Sequence, residues 1–354
     1  MTTQTTVSTA FLGLSHLHPT SYMTLFQALP GVKVTAAADA DPGVLQDFTG
    51  KFHLRGYPDW RALLAREQLD LAVIFLPHAD CPDAAVACAE RGVHVLVEKP
   101  MAASAEGVRR AMAAAAKAGV ILSTPYVWRC HPVVRQMKRL IEEGITGRVV
   151  GCEGRCAAGR LARYIDGHAG WMLQKSRSGG GPMFNLGVHW IDLYRWLLAD
   201  EVVEVLGKNV HVNKQYDIED NSFALLTFSR GTVLSLDISY TVPDSFPFGR
   251  DLYLALRGTT GVLSWSPSFE GVKERLLVCS DVGEFSEAAH QHLDFELPAQ
   301  PGYAGVMGLN FLADLLDSVR TGNPPAISGH DGLKALEVVE AIYQSAESGR
   351  SIKL

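Results

Sequence analysis

The first stretch whose residue types could do chemistry is FLGLSHLHPTSY, from Phe11 to Tyr22. It follows a strand-like run and precedes a helical pattern, the place where a dinucleotide-binding loop reads G-x-G-x-x-G. Only Gly13 is a glycine here, with Ser15 and His18 in the second and third places. Gly13 allows the sharp turn out of the strand. Ser15 narrows the approach of a pyrophosphate and adds a hydroxyl. Pro19 marks a helix N-terminus whose unpaired N–H groups suit phosphate. Asp39 ends the next apolar run, VTAAAD. A carboxylate there accepts hydrogen bonds from ribose hydroxyls and repels a 2′-phosphate. The following Ala40, Asp41 and Pro42 bring no cation, so NAD is expected in preference to NADP. His16 and His18 are two ligands, too few for a metal, and are read as packing or hydrogen-bonding near the cofactor. No metal is expected.

A second group lies on the helical segment 182–198. Asn185, His189, Asp192 and Trp196 recur at i, i+4, i+7 and i+11 and share one stripe between apolar positions. Such a stripe faces a cleft or a buried polar network.

The elements that position these residues follow from periodicity. Up to about residue 125, β-branched runs (TVSTAFLG, VKVTAAAD, LDLAVIFLP, GVHVLVEKP, VILSTPY) alternate with helical patterns at 20–29, 42–52, 82–91 and 104–118. Continuous apolar strands between helices indicate a parallel sheet covered on both faces. After Tyr126 come a helix at 132–143, a strand at 148–157, a Gly/Arg-rich loop and the 182–198 helix. From 203 to about 297 strand follows strand, which predicts a large, mostly antiparallel sheet. Helices at 304–321 and 331–348 close the chain. The expected organisation is a dinucleotide-binding Rossmann domain, 1–126, and an α/β domain for substrate binding and oligomerisation, 127–354.

Several motifs recur in order: E-K-P at Glu98 to Pro100, R-x-x-P at Arg129 to Pro132, EEGITGRV at 142–149, SGGGPMFNLGVHWIDLYRWL, and the closing SGHDGLKALEVVEAIYQSAESG. Together they resemble the Gfo/Idh/MocA family of NAD(P)-dependent oxidoreductases, and the likeness extends over nearly the whole chain. The resemblance implies an enzyme that moves a hydride between nicotinamide and a secondary alcohol of a sugar, cyclitol or derivative. It implies that Lys99 approaches substrate and nicotinamide beside Glu98, and that the open sheet builds a homodimer or homotetramer. His189 serves as base, with Lys99 stabilising the alkoxide. The family usually has Asp four positions before this histidine, and Asn185 orients the ring without raising its pKa. Leu17, Leu76, Pro77, His78, Trp128 and Arg129 complete the expected cofactor contacts. Tyr126, Arg163, Tyr164, His168, Trp171 and Asp192 join Lys99, Asn185 and His189 on the substrate, an aromatic and hydrogen-bonding set suited to a polyhydroxylated ligand. Two alternatives share the fold: a redox-neutral, NAD-dependent glycoside-cleaving enzyme, and a non-catalytic nucleotide- or sugar-sensing protein.

Composition agrees with small-molecule partners. The 354 residues are 47% hydrophobic and 20% charged with net charge −6, without the basic footprint of a nucleic-acid or membrane binder. No apolar run reaches the roughly 20 residues that span a bilayer, and the N-terminus lacks a signal-peptide pattern, so a cytoplasmic protein is expected. The six cysteines are read as reduced. Cys152 and Cys156, on one face of a strand, lie about 13 Å apart, too far for a disulfide.

Overall fold

The computed structural model describes residues 6–243, 245–268, 273–288 and 290–354. The chain forms two compact units, one of Met1–Val127, Ala162–Gly179 and Gln300–Lys334, the other of Trp128–Leu161, Gly180–Ala299 and Ala335–Leu354. The chain first passes from one unit to the other between Val127 and Trp128. Two later stretches, Ala162–Gly179 and Gln300–Lys334, cluster with the first.

In the first unit β1 (Val7–Leu12), β2 (Val32–Ala38), β3 (Arg55–Tyr57), β4 (Leu71–Ile74), β5 (His94–Val97) and β6 (Leu122–Ser123) form one sheet in the order β3-β2-β1-β4-β5-β6. Every pair is parallel. The central runs are buried on both faces, which is why they read as uninterrupted apolar stretches. The short edge strand β3 carries too few residues for a periodic signal. The chain's helices are α1 (Pro19–Ala28), α2 (Pro42–Phe52), α3 (Trp60–Arg66), α4 (Cys81–Ala89), α5 (Ala105–Ala118), α6 (Pro132–Glu142), α7 (Leu161–Asp166), α8 (Lys175–Ser178), α9 (Val188–Leu198), α10 (Gly305–Thr321) and α11 (Gly329–Ser348). Their starts are written locally. Asp41 accepts from Gly43 N and Val44 N at the head of α2, and Ser104 accepts from Gly107 N at the head of α5. The later stretch of this unit is tied down by Arg320, which donates to the carbonyls of Pro30 and Gly31, and by Ser123 Oγ, which donates to Ile327 O.

Because the strands are parallel, the segments after β1, β2, β4 and β5 emerge on one edge. The order reverses between β1 and β4, the position where open α/β sheets hold ligands.

The second unit contains β7 (Val149–Ala158), β8 (Val202–Val210), β9 (Asn221–Phe228), β10 (Val233–Ser239), β11 (Arg250–Gly258), β12 (Gly261–Trp265), β13 (Lys273–Ser280), β14 (Gln291–Glu296) and β15 (Ile352–Lys353). Their order is β14-β13-β12-β11-β7-β10-β9-β8-β15. Only the β7–β10 pair is parallel. Helix α9 packs on the sheet, where Tyr194 Oη accepts from Ala255 N of β11. All six cysteines are free thiols and all but Cys279 are buried. No helix among the described residues is long and apolar enough to cross a membrane.

Candidate active site

In the first unit the turn after β1 is set by Gly13. Its φ is +88°, and a Cβ there would lie 2.9 Å from Leu76 N, so both conformation and space demand glycine. The next residues wrap around Asp39, whose Oδ2 accepts from Leu14 N and Ser15 N (2.9 Å). Oδ1 accepts from Ser15 Oγ at 3.1 Å and Asp41 N at 2.8 Å. The serine in the second glycine place therefore directs its hydroxyl to Asp39. A cleft of about 720 Å³ opens here, lined by Gly13, Ser15, Asp39, Leu76 and Pro77, with His168 and Trp171. Asp41, Asp59, Trp60, Arg61 and Arg177 also line it. Sequence reasoning missed Trp60, Arg61 and Arg177. Trp60 and Arg61 follow an edge strand with no clear pattern, and Arg177 reaches the cleft from far along the chain.

Behind the cleft lies a buried polar group. Glu98 and Lys99 are each 3% exposed at the end of β5, and the Lys99–Pro100 peptide is cis. Burial raises the Glu98 carboxyl, opposed by Lys99 and His16. Burial also holds His16 well below its usual value, aided by His18. His78 is pushed down to about 4 by burial, although its Nδ1 meets Ser178 O at 2.7 Å. That contact makes Nδ1 the donor of a neutral ring. Leu17 is partly buried in the loop, and Tyr126 is 1% exposed.

The stretch Ala162–Gly179 packs onto this unit. Trp171 Nε1 donates to Ser15 O at 2.7 Å, and its ring meets His78 edge-on at 4.8 Å. Ala79 N donates to Arg177 O. Tyr164 is buried, whereas Arg163 and His168 are exposed. Of the substrate residues expected here, His168 and Trp171 reach the cleft lining.

In the second unit Asn185 sits in a single π turn, Met183–Gly187, leading into α9. This i→i+5 turn replaces the regular helical register assumed from the sequence. The turn is anchored by Gly181, whose N donates to Glu219 Oε2. A Cβ at Gly181 would fall 2.0 Å from Glu219 O, which accounts for glycine there. Asn185 Nδ2 donates to Tyr240 Oη at 2.8 Å, and both Asn185 and His189 are buried. Tyr240 was not foreseen, since only the fold brings β10 and its following residue to this turn.

Two expected ligand residues instead meet each other. Arg129 forms a fork on Asp192, with Nε to Oδ2 at 2.8 Å and Nη2 to Oδ1. The side chains are 9% and 1% exposed. This pair ties α9 to the segment before α6. Trp128 lies against Trp190 and Trp265 in an aromatic cluster of the second unit.

Comparison with known proteins bears on the family and the fold. Residues 7–126 match the family model for the NAD-binding Rossmann fold of the oxidoreductase family, and residues 134–264 match that for the GFO/IDH/MocA C-terminal domain. The chain is 27% identical over 351 residues to D-apiose dehydrogenase from Paraburkholderia graminis, covering 98% of this chain and 88% of that protein. It is 26% identical over 308 residues to myo-inositol 2-dehydrogenase from Thermotoga maritima, covering 85% and 84%. The crystal structure of an oxidoreductase from Agrobacterium radiobacter in complex with NAD+, L-tartaric acid and magnesium superposes with a TM-score of 0.84 at 22% identity, covering 99% and 98%.

Proposed function

The chain belongs to the Gfo/Idh/MocA family of oxidoreductases, and from that premise we propose that it is an NAD-dependent dehydrogenase or reductase acting on a secondary alcohol of a sugar, cyclitol or sugar derivative. The observation that carries this reading is Lys99, a lysine 3% exposed at the carboxyl end of β5, in the unit whose Gly13 turn and Asp39 line the cleft. The Gly13 cradle, which a Cβ would fill, fits a dinucleotide. When bound, nicotinamide would supply the acceptor for the hydride of the carbinol carbon as the alcohol becomes a ketone, and the hydroxyl proton would go to a base. Lys99 is assigned to hold the developing alkoxide and His189 to take its proton. Asn185, itself held by Tyr240, orients His189.

The preference for NAD over NADP rests on acidity. Asp39, Asp41 and Asp59 line the cleft with the cations Arg61 and Arg177, and Arg61 lies 3.8 Å from Asp59 and over the Trp60 ring. Asp39, which accepts from Ser15 Oγ, would hold a ribose hydroxyl in its place. Assembly is assigned to the outer face of the large sheet. Leu206 opposes Leu225 there, and both are about half exposed, with Val210, Phe223 and Val233 also exposed.

Calorimetric titration with NAD and NADP in both redox states, followed by a panel of aldoses, inositols and anhydrosugars, tests the reading. NAD is expected to bind, at least tenfold more weakly to Asp39→Ala, a change of about 1.4 kcal/mol. NADH should accumulate with a substrate of the panel, and Lys99→Ala should lower kcat. Cleaved sugar without NADH would favour the redox-neutral reading. No nucleotide bound and none carried through purification would refute the oxidoreductase assignment.

A further inference from the structure

The loop departs from the glycine pattern with histidines, and the fold supplies them with a third partner. Ligand-capable atoms of His16, His18 and Glu98 lie within 4.8 Å of one another, the only such group of three among the described residues. His16 and Glu98 are 5% and 3% exposed. His16 Nε2 has no hydrogen-bond partner, and although the Tyr22 hydroxyl and Lys99 act on the Glu98 carboxyl, neither of its oxygens receives a hydrogen bond of good geometry. A buried carboxylate so weakly satisfied is costly unless it is paired or coordinates a metal. His18 Nδ1 stands 3.4 Å from Glu98 Oε1. That separation is about the edge between two ligands each roughly 2.1 Å from a tetrahedral ion.

We propose that His16, His18 and Glu98 form a binding site for a divalent transition-metal ion. Two imidazole nitrogens and one carboxylate select the zinc, manganese and iron(II) class over magnesium or calcium. Three protein ligands leave a position open, the pattern of catalytic rather than closed structural sites. The group available to it chemically is a hydroxyl or carbonyl oxygen of a small molecule. Coordination also reshapes the loop. His16 Nδ1 accepts from His18 N at 3.1 Å, which places the ring proton on Nε2. Ligation through Nε2 moves that proton to Nδ1 and breaks the hydrogen bond from His18 N, so ion binding and the turn into α1 are coupled. The site shares the loop after β1 and the end of β5 with the cofactor assignment, and it is tested without nucleotide or turnover.

The test is titration of the full-length protein, stripped with chelator, with CoCl2, reading the visible ligand-field bands and the heat of binding. One equivalent of Co2+ should bind, give the spectrum of a low-coordinate nitrogen/oxygen site, be displaced by ZnCl2 and be unaffected by MgCl2. Glu98→Gln and His18→Gln should each weaken binding at least tenfold with unchanged circular dichroism. His292→Gln should leave it intact, because the exposed rings of His290 and His292, 5.6 Å apart, are the competing surface site. Absence of stoichiometric binding would overturn the proposal, as would affinity retained in both Glu98→Gln and His18→Gln, or loss only in His292→Gln.

Discussion

Removing the Asp192 carboxylate separates a structural from a ligand-binding role for the Arg129 pair. Asp192→Asn leaves a guanidinium 9% exposed without its anion, after losing two charge-assisted hydrogen bonds. Stranding one member of a buried ion pair costs about 3–5 kcal/mol, mostly the desolvation of the group left behind. For a unit of this size each kcal/mol lowers the melting temperature by about 2–4 °C. The expected fall in the corresponding calorimetric transition is therefore roughly 6–20 °C. Replacing both partners by apolar residues, Arg129→Met with Asp192→Leu, removes the stranded charge and should recover most of that loss. Calorimetry and steady-state kinetics on the two singles and the double make the cycle. If the singles melt within about 1 °C of the parent while turnover collapses, or if the double shows no recovery, the reasoning fails and these residues belong to ligand binding.

Other outcomes follow from the same geometry. Gly13→Ala should destabilise the first unit by more than about 1 kcal/mol and abolish NAD binding, because φ +88° and a 2.9 Å approach to Leu76 N both oppose a Cβ; urea unfolding and calorimetry check this. His78 and His131, pushed down to about 4 and about 3 by burial, stay neutral in the fold and bind protons more readily when unfolded. Stability should therefore fall as pH drops from about 6.5 through about 4, on the order of 3 kcal/mol for His78. His78→Gln should flatten that part of the stability profile; an unchanged profile would refute the assignment. His131 Nδ1 accepts from Val133 N at the head of α6, so its protonation also removes a helix cap, and His131→Asn should retain the cap without the acid sensitivity. Leu225→Glu, on the exposed sheet face opposite Leu206, should lower the molar mass measured by light scattering to that of a single chain. An unchanged oligomeric mass would place the contact elsewhere.

The sequence alone determined the Rossmann half and the broad character of the second. Continuous apolar runs between helices specify a parallel sheet, and successive strands without helices specify an antiparallel one. These are local consequences of which faces are buried. Gly13, Asp39 and Lys99 were likewise legible, because turn conformation, strand ends and motif order are written in neighbouring residues. Partners across the chain were not. Periodicity placed Asp192 on a polar stripe, but only folding showed its carboxylate gripping Arg129. It placed Trp171 in the second half, but folding laid its indole on the Ser15 carbonyl. It counted His16 and His18 as two, but folding brought Glu98 beside them from the end of β5. A periodic pattern reports that a side chain is buried; which group satisfies it depends on segments brought together only by tertiary packing.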